Sequence, residues 1–258
     1  MLLKTLNKEK RIKLFGLLSY VFIACLVVLF IKPYYFFSIL IVLVPPSIVN
    51  FVWLKRSKWK IMIFSLAATL IFAPPVELAL RMVDAWDVQS IFYRPFGLIP
   101  LENMLFAFLN FFWALAFYEY FVDRDTKRGV SPRFKYLVDL FIVFAVIVFG
   151  LFAFTPDLLK TSYMGMSVII LIIPALLIFW QNPHLLRKSI LPTVFFAIVF
   201  FVYEIVSLKI GSWWWPGEYL LPTHIFGKVF PIDDVVIWYF LSTPALIGGY
   251  EYFADDDQ

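Results

Sequence analysis

Long apolar stretches, broken by short clusters of charged and turn residues, run through the chain at about 14–31, 34–54, 61–80, 101–121, 136–155, 163–181, 189–208 and 231–253. Each approaches the ~20 residues that a helix needs to cross the hydrocarbon of a bilayer. The pattern predicts an all-α integral membrane protein with eight transmembrane helices. The first stretch follows a basic start and imitates a secretory leader. However, it is as long as a span, no small-x-small cleavage site follows it, and Lys32-Pro33-Tyr34-Tyr35 reads as an interfacial turn. It is expected to be a retained first helix.

Composition supports lipid as the solvent. Of 258 residues, 62% are apolar, 21% aromatic and 16% charged, with a mean hydropathy of +0.87. Soluble domains carry ~25% charged and ~45–50% apolar residues, and a compact soluble fold of this length leaves too much chain wet to hide the excess. The single cysteine, Cys25, excludes an intrachain disulfide and a thiolate metal cluster. His184 and His224 are too few and too separated to suggest zinc, and the ten glycines include no G-x-G pair for a nucleotide turn. No metal, cofactor or nucleic-acid partner is expected; the bilayer itself is.

The net charge is +4, but its distribution says more. With the N-terminus inside, sixteen basic residues face the cytoplasm: five in the N-terminal arm including Lys4, four at 55–60, five at 124–135 including Lys127, and Arg187 with Lys188. Six remain on or near the other side (Lys32, Arg81, Arg94, Lys160, Lys209 and Lys228). The positive-inside rule then predicts a multi-pass protein of the cell (inner) membrane with both termini cytoplasmic.

The chain also repeats. Tyr-Glu-Tyr-Phe occurs at 118–121 and again at 250–253, an offset of 132, which Phe108-Leu109 and Phe240-Leu241 share. Pro100-Leu101-Glu102-Asn103 answers Pro231-Ile232-Asp233-Asp234 at offset 131. Glu77 and Trp86 answer Glu204 and Trp213 at offset 127, and Pro45-Pro46 correspond to Pro174. Two four-helix repeats are expected, at 1–128 and 129–258. With an even number of spans each, they would be parallel and related by an axis along the membrane normal.

Carboxylates near the membrane interior are costly and so informative. Glu77 and Glu204 fall near the outer ends of helices 3 and 7; Glu102, Asp233 and Asp234 fall at the outer starts of helices 4 and 8. An acid just after a proline can simply cap a helix, but recurrence in both halves favours a shared site. One ambiguity stays open. The proline alignment pairs Glu102 with Asp233, whereas the Phe-Leu alignment pairs it with Asp234, and one residue is ~100° around a helix. Arg81, four residues after Glu77, is expected to pair with it. Glu119 and Glu251 look interfacial, and Asp255-Asp256-Asp257 looks like a solvated tail. Among 31 Phe, 13 Tyr and 9 Trp, a group including Trp86, Trp213-Trp214-Trp215 and Tyr219 crowds the outer loops. An aromatic belt accounts for many of these. Beside acids in apolar surroundings, which hold their protons, ring faces can also stabilise a cation.

Glu204, Gly211-Ser212-Trp213, Tyr219-Leu220, Gly227 and Pro231-Ile232-Asp233-Asp234 together resemble the lycopene cyclase domain of the heterodimeric-type bacterial, archaeal and fungal carotenoid cyclases. Glu77, Trp86-Asp87, Gly97 and Pro100-Leu101-Glu102-Asn103 resemble it a second time, as if two domains were fused in one chain. The family motif usually reads Pro-x-Glu-Glu or Pro-x-Glu-Asp; here Asn103 replaces one acid and Asp233-Asp234 replace glutamate. The resemblance implies an isomerase-type enzyme (an intramolecular lyase) that cyclises the ψ-end of a linear carotenoid such as lycopene, without flavin or metal. An acid would protonate the terminal alkene, the internal alkene would attack the carbocation, and a base would remove a proton. It implies Glu102 and Asp233 or Asp234 as acid and base, Glu77 and Glu204 as their partners, and Trp86, Asn103, Phe106, Trp213, Tyr219 and Trp238 as substrate contacts. Two other readings stand beside it: a non-catalytic carotenoid- or lipid-binding membrane protein, which Asn103 favours, and a small transporter, which the position of the acids near one face disfavours.

Overall fold

The computed structural model describes residues 6–125, 128–160 and 163–255. Lys4 and Lys127 of the basic tally, and Asp256 and Asp257 of the terminal acidic run, lie outside these. The protein is 76% helical. Seven helices are long and apolar enough to cross a membrane: α1 (Lys8–Ile31), α2 (Tyr35–Trp53), α3 (Lys58–Arg81), α4 (Leu101–Asp123), α5 (Phe134–Phe154), α6 (Tyr163–Gln181) and α7 (His184–Ile210). A further segment, α8, is helical throughout 232–255 but carries four carboxylates. Several helices begin before their apolar run, at Lys8, Lys58 and His184. Lys32, in the left-handed region at φ 51°, ends α1 in the expected turn.

Of the five π turns among the described residues, two end α4 and α8 (Glu119–Asp123 and Glu251–Asp255), and the other three each lie just ahead of a proline. These three are Ala68–Phe72 before Pro74-Pro75, Val168–Ile172 before Pro174, and Val235–Leu241 before Pro244. Proline lacks an N–H and its ring crowds the carbonyl four residues back, so a wider turn relieves the ladder at the cost of one extra residue. These insertions account for the one-residue steps of the drifting repeat, and the larger step from 127 to 131 falls in the outer loops. The π turn of α8 separates offset 131 at Pro231 from 132 at Phe240, and the π turn of α3 separates Lys60 and Lys188 (128 apart) from Glu77 and Glu204 (127 apart).

α4 and α8 lie at the centre. α4 packs on α2, α3, α7 and α8, and α8 on α5, α6 and α7. The outer helices cross over: α1 rests on α7, and α5 on α3. At one end of the bundle the Tyr-Glu-Tyr-Phe segments interlock. The Tyr118 hydroxyl donates to Glu251, and the Tyr250 hydroxyl donates to Glu119. Lys60 bridges Glu119 (2.8 Å) and Asp255 (2.6 Å) with all three side chains fully buried. Lys188 bridges Asp123 (3.0 Å) and Glu251 (3.2 Å). Two expectations are thus corrected. Glu119 and Glu251 are buried rather than interfacial, and Asp255 is a buried ion-pair partner rather than part of a solvated tail. Their burial is affordable because each carboxylate meets an ammonium or a phenol from across the bundle.

Beside this network, Asp125 accepts hydrogen bonds from the N–H groups of Lys55, Arg56 and Ser57 and from the Ser57 hydroxyl (2.6 Å), pinning the α2–α3 loop. Partial burial works against its charge, but these bonds outweigh it and hold its carboxyl below the ordinary value. A depressed folded pKa adds stability that is present above the unfolded value of ~3.9 and is lost as pH falls through the folded one. Asp125→Asn should therefore raise amide exchange at residues 55–57 at pH 7, and the difference from the parent should vanish at strongly acidic pH.

At the opposite end, a two-stranded ribbon pairs β1 (Asp87–Val88) with β2 (Trp213–Trp214), tying the α3–α4 loop to the α7–α8 loop. A hairpin of β3 (Pro222–Ile225) and β4 (Lys228–Pro231) follows, closed by Phe226 and Gly227, both at positive φ as its tight turn requires. At Gly217 the loops meet so closely that a Cβ would lie 2.7 Å from the Asp84 carbonyl oxygen.

Candidate functional site

The five carboxylates do gather at the ribbon end, each no more than 5% exposed, but they divide by what they touch. Glu102, in the first turn of α4, accepts from the Ile91 N–H (2.6 Å), the Phe92 N–H (3.1 Å) and the Ser90 hydroxyl (2.8 Å). Asp233 accepts from the Leu220 N–H (3.0 Å). Both hold an outer loop, neither lines the cavity described below, and their shared role resolves the register: Glu102 corresponds to Asp233, and Asn103 to Asp234. The competing alignment arises from the π turn downstream.

Glu77, Asn103, Glu204 and Asp234 face a common cavity of about 670 Å³, with Trp86, Phe106, Trp213 and Trp238 also in its wall. That volume is in the range of small-molecule sites. Tyr219 stands behind the wall. Its hydroxyl donates to the Ala85 carbonyl, and its ring packs edge-on against Tyr163 and Trp215. Trp213, paired by sequence with Trp86, packs edge-on against Tyr35 and Tyr203 instead. The indole that donates to Glu204 belongs to Trp215 (3.1 Å), as that of Trp86 donates to Glu77 (3.3 Å).

The two halves of the site differ in charge. Glu77 pairs with Arg81 (3.2 Å), as expected, and accepts from the Asn103 amide (2.8 Å). Arg81 continues to the Trp86 carbonyl and to Asp87 (2.7 Å), which Arg94 also approaches at 3.1 Å. Burial alone would push the Asp87 carboxyl up, but the bonds and charge of Arg81 hold it below its ordinary value. In the other half the counterpart of Arg81 is the fully buried Leu208, 127 residues on, and that of Asn103 is Asp234. Glu204 and Asp234 lie within electrostatic reach of each other, and among the described residues no lysine or arginine pairs with either. Asp234 instead accepts from the Tyr163 hydroxyl (2.5 Å), which accepts from the Trp238 indole (2.7 Å). Above the acids, the Trp86 ring meets Trp238 at 5.7 Å, Trp215 at 6.0 Å and Tyr163 at 6.3 Å, all edge-on.

Tyr163 was not singled out by sequence, Trp215 was read only as one of the outer-loop aromatics, and Tyr35, read as part of an interfacial turn, is instead buried and lines the cavity. Trp215 carried a signal in the triple tryptophan; Tyr163 carried none, because only the fold sets α6 beside α8. Chemically, the site offers a cation-free acid pair, an ion-paired carboxylate and indole faces around one apolar space. Comparisons with protein-family models, curated proteins and solved structures return no match.

Proposed function

We propose that the protein is a carotenoid cyclase of the inner membrane. In this reading α8 is the eighth span, 1–128 and 129–258 are parallel repeats, and both termini are cytoplasmic. The observation that carries it is the inequality between Glu77–Asn103–Arg81 and Glu204–Asp234–Leu208. Two acids facing one apolar space without a cation cannot both be ionised cheaply, so that pair is where a proton is kept for delivery. Glu77, already ion-paired, is the acceptor.

The proton passes from the Glu204–Asp234 pair to the terminal alkene of the ψ-end. One carbon–carbon bond then closes as the internal alkene attacks the tertiary cation, and Trp86, Trp215 and Trp238 present aromatic surface to that charge. Glu77 removes a ring proton. One proton is gained and one lost, so product and substrate are isomers and no oxidant or reductant enters. Tyr163 positions Asp234, while Glu102 and Asp233 hold the loops that roof the cavity and keep water out.

Production in lycopene-accumulating cells should convert lycopene to cyclic carotenoids separable by chromatography. Unchanged lycopene, with the protein present in the membrane, would overturn the enzymatic reading.

A further inference from the structure

The cavity is not confined to the acids. Its wall runs along α8 from Asp234 to Phe253, roughly 28 Å at 1.5 Å per residue, close to the ~30 Å hydrocarbon thickness of a bilayer. Its side is formed by Leu140 on α5 and by Ile169, Pro174 and Leu177 on α6. Leu140, Ile169 and Leu177 are 56%, 59% and 61% exposed. Because α5 and α6 are apolar enough to cross a membrane, this opening meets lipid tails rather than water.

The symmetry-related space, under α1 and α2, is filled. Trp113 and Phe117 of α4 pack against Phe195 and Phe196 of α7, with ring centroids 4.3–5.7 Å apart. At offset 132 Trp113 corresponds to Ala245 and Phe117 to Gly249; Ala68, inside the α3 π turn, corresponds to Phe195 or Phe196. Ala68, Ala245 and Gly249 all line the cavity. A Cβ at Gly249 would meet nothing within 4 Å, whereas one at Gly248 would meet Ile178 and Phe179 at 3.2 Å. Gly248 therefore seats α6 on α8, while Gly249 leaves room. Small residues hollow one half at the positions where aromatic rings fill the other.

We propose that the protein has one hydrocarbon-chain site rather than two: a bilayer-fed tunnel between α5 and α6 that takes a single linear polyisoprenoid chain lengthwise, end first to Glu204 and Asp234. This deepens the cyclase reading, and under it the two ends of a symmetric chain are processed one at a time, with release or reversal between them. The occupant follows from the tunnel's near-bilayer length, its lateral opening and its aliphatic and aromatic wall.

The test reads binding, so it stands apart from turnover. Purified protein in lipid nanodiscs, titrated with lycopene and followed by the absorbance change of the bound polyene, should saturate at one molecule per chain. Gly249→Phe and Ala245→Trp, which restore the rings of the other half, should each weaken binding at least 10-fold with the thermal midpoint retained. Leu177→Cys, in a Cys25→Ala background, should react with a lipid-soluble maleimide and be protected by lycopene. Val146→Cys, 67% exposed on α5 but outside the tunnel wall, should react equally with and without it. Saturation at two molecules, undiminished binding by both filled variants, or no protection at Leu177→Cys would overturn the proposal; the cysteine reading decides it if the filled variants do not fold. If lycopene binds once, with these effects, but is never cyclised, the tunnel stands and the catalytic reading fails.

Discussion

Asp234→Asn is expected to lower the rate of ring formation by ~10²–10⁴-fold, the contribution of a positioned general acid, with the protein still present in the membrane and still binding the linear polyene. The amide keeps the size of the side chain and an oxygen to accept from Tyr163, but holds no deliverable proton. Asp233→Asn should cost less than ~10-fold in rate, since its amide oxygen can still accept the Leu220 N–H and neutral hydrogen bonds differ from charged ones by only ~1–2 kcal/mol. Glu102→Gln should behave like Asp233→Asn, because its three donors belong to the 90–92 loop. Chromatographic rates for the three variants provide the measurement. Loss of activity in Asp233→Asn or Glu102→Gln, with Asp234→Asn active, would place the chemistry on the loop-holding carboxylates and overturn the assignment.

Lys60→Met should produce the largest loss of stability. The ammonium is fully buried between Glu119 and Asp255 and lies 5.2 Å from the Tyr250 ring centroid. Its removal leaves the Glu119 carboxylate buried without the cation that it pairs with, a situation that costs ~3–5 kcal/mol. At about 2–4 °C per kcal/mol for a chain of this size, the thermal midpoint falls by roughly 6–20 °C. Lys188→Met should cost less, because Lys188 is 29% exposed and water can reach the gap. Combining Lys60→Met with Glu119→Gln should recover part of the loss. An unchanged midpoint for Lys60→Met would mean that the network contributes no net stability.

Much of the architecture was legible because lipid imposes a simple rule on sequence. Apolar runs of span length marked every long helix, and the expense of intramembrane charge drew attention to the five carboxylates, the Glu77–Arg81 pair and the aromatic loops. What escaped was relative placement within a fraction of a turn. Asp233 and Asp234 looked interchangeable as the counterpart of Glu102 because the π turn that separates the two alignments is a response of the backbone, not a residue pattern. Glu119 and Glu251 looked interfacial and Asp255 looked solvated because their neighbours in sequence are aromatic and acidic; the partners that bury them come from helices far away in the chain.

The sequence by itself determined that the chain is a bundle of apolar helices with an internal repeat and carboxylates at one end, since hydrophobic run length and the desolvation cost of charge act residue by residue. Only the tertiary structure decided that the matching segments have unequal surroundings. Asp234 and Glu204 face the cavity while Glu102 and Asp233 hold loops; Arg81 neutralises one set, while Leu208 stands at the matching position of the other, with which no lysine or arginine among the described residues pairs. Trp113 and Phe117 fill a space that Ala245 and Gly249 leave open. Those distinctions depend on which side of a helix faces which neighbour. A single inserted residue turns that side by ~100°, and close packing then makes a ring or its absence the difference between a core and a cavity.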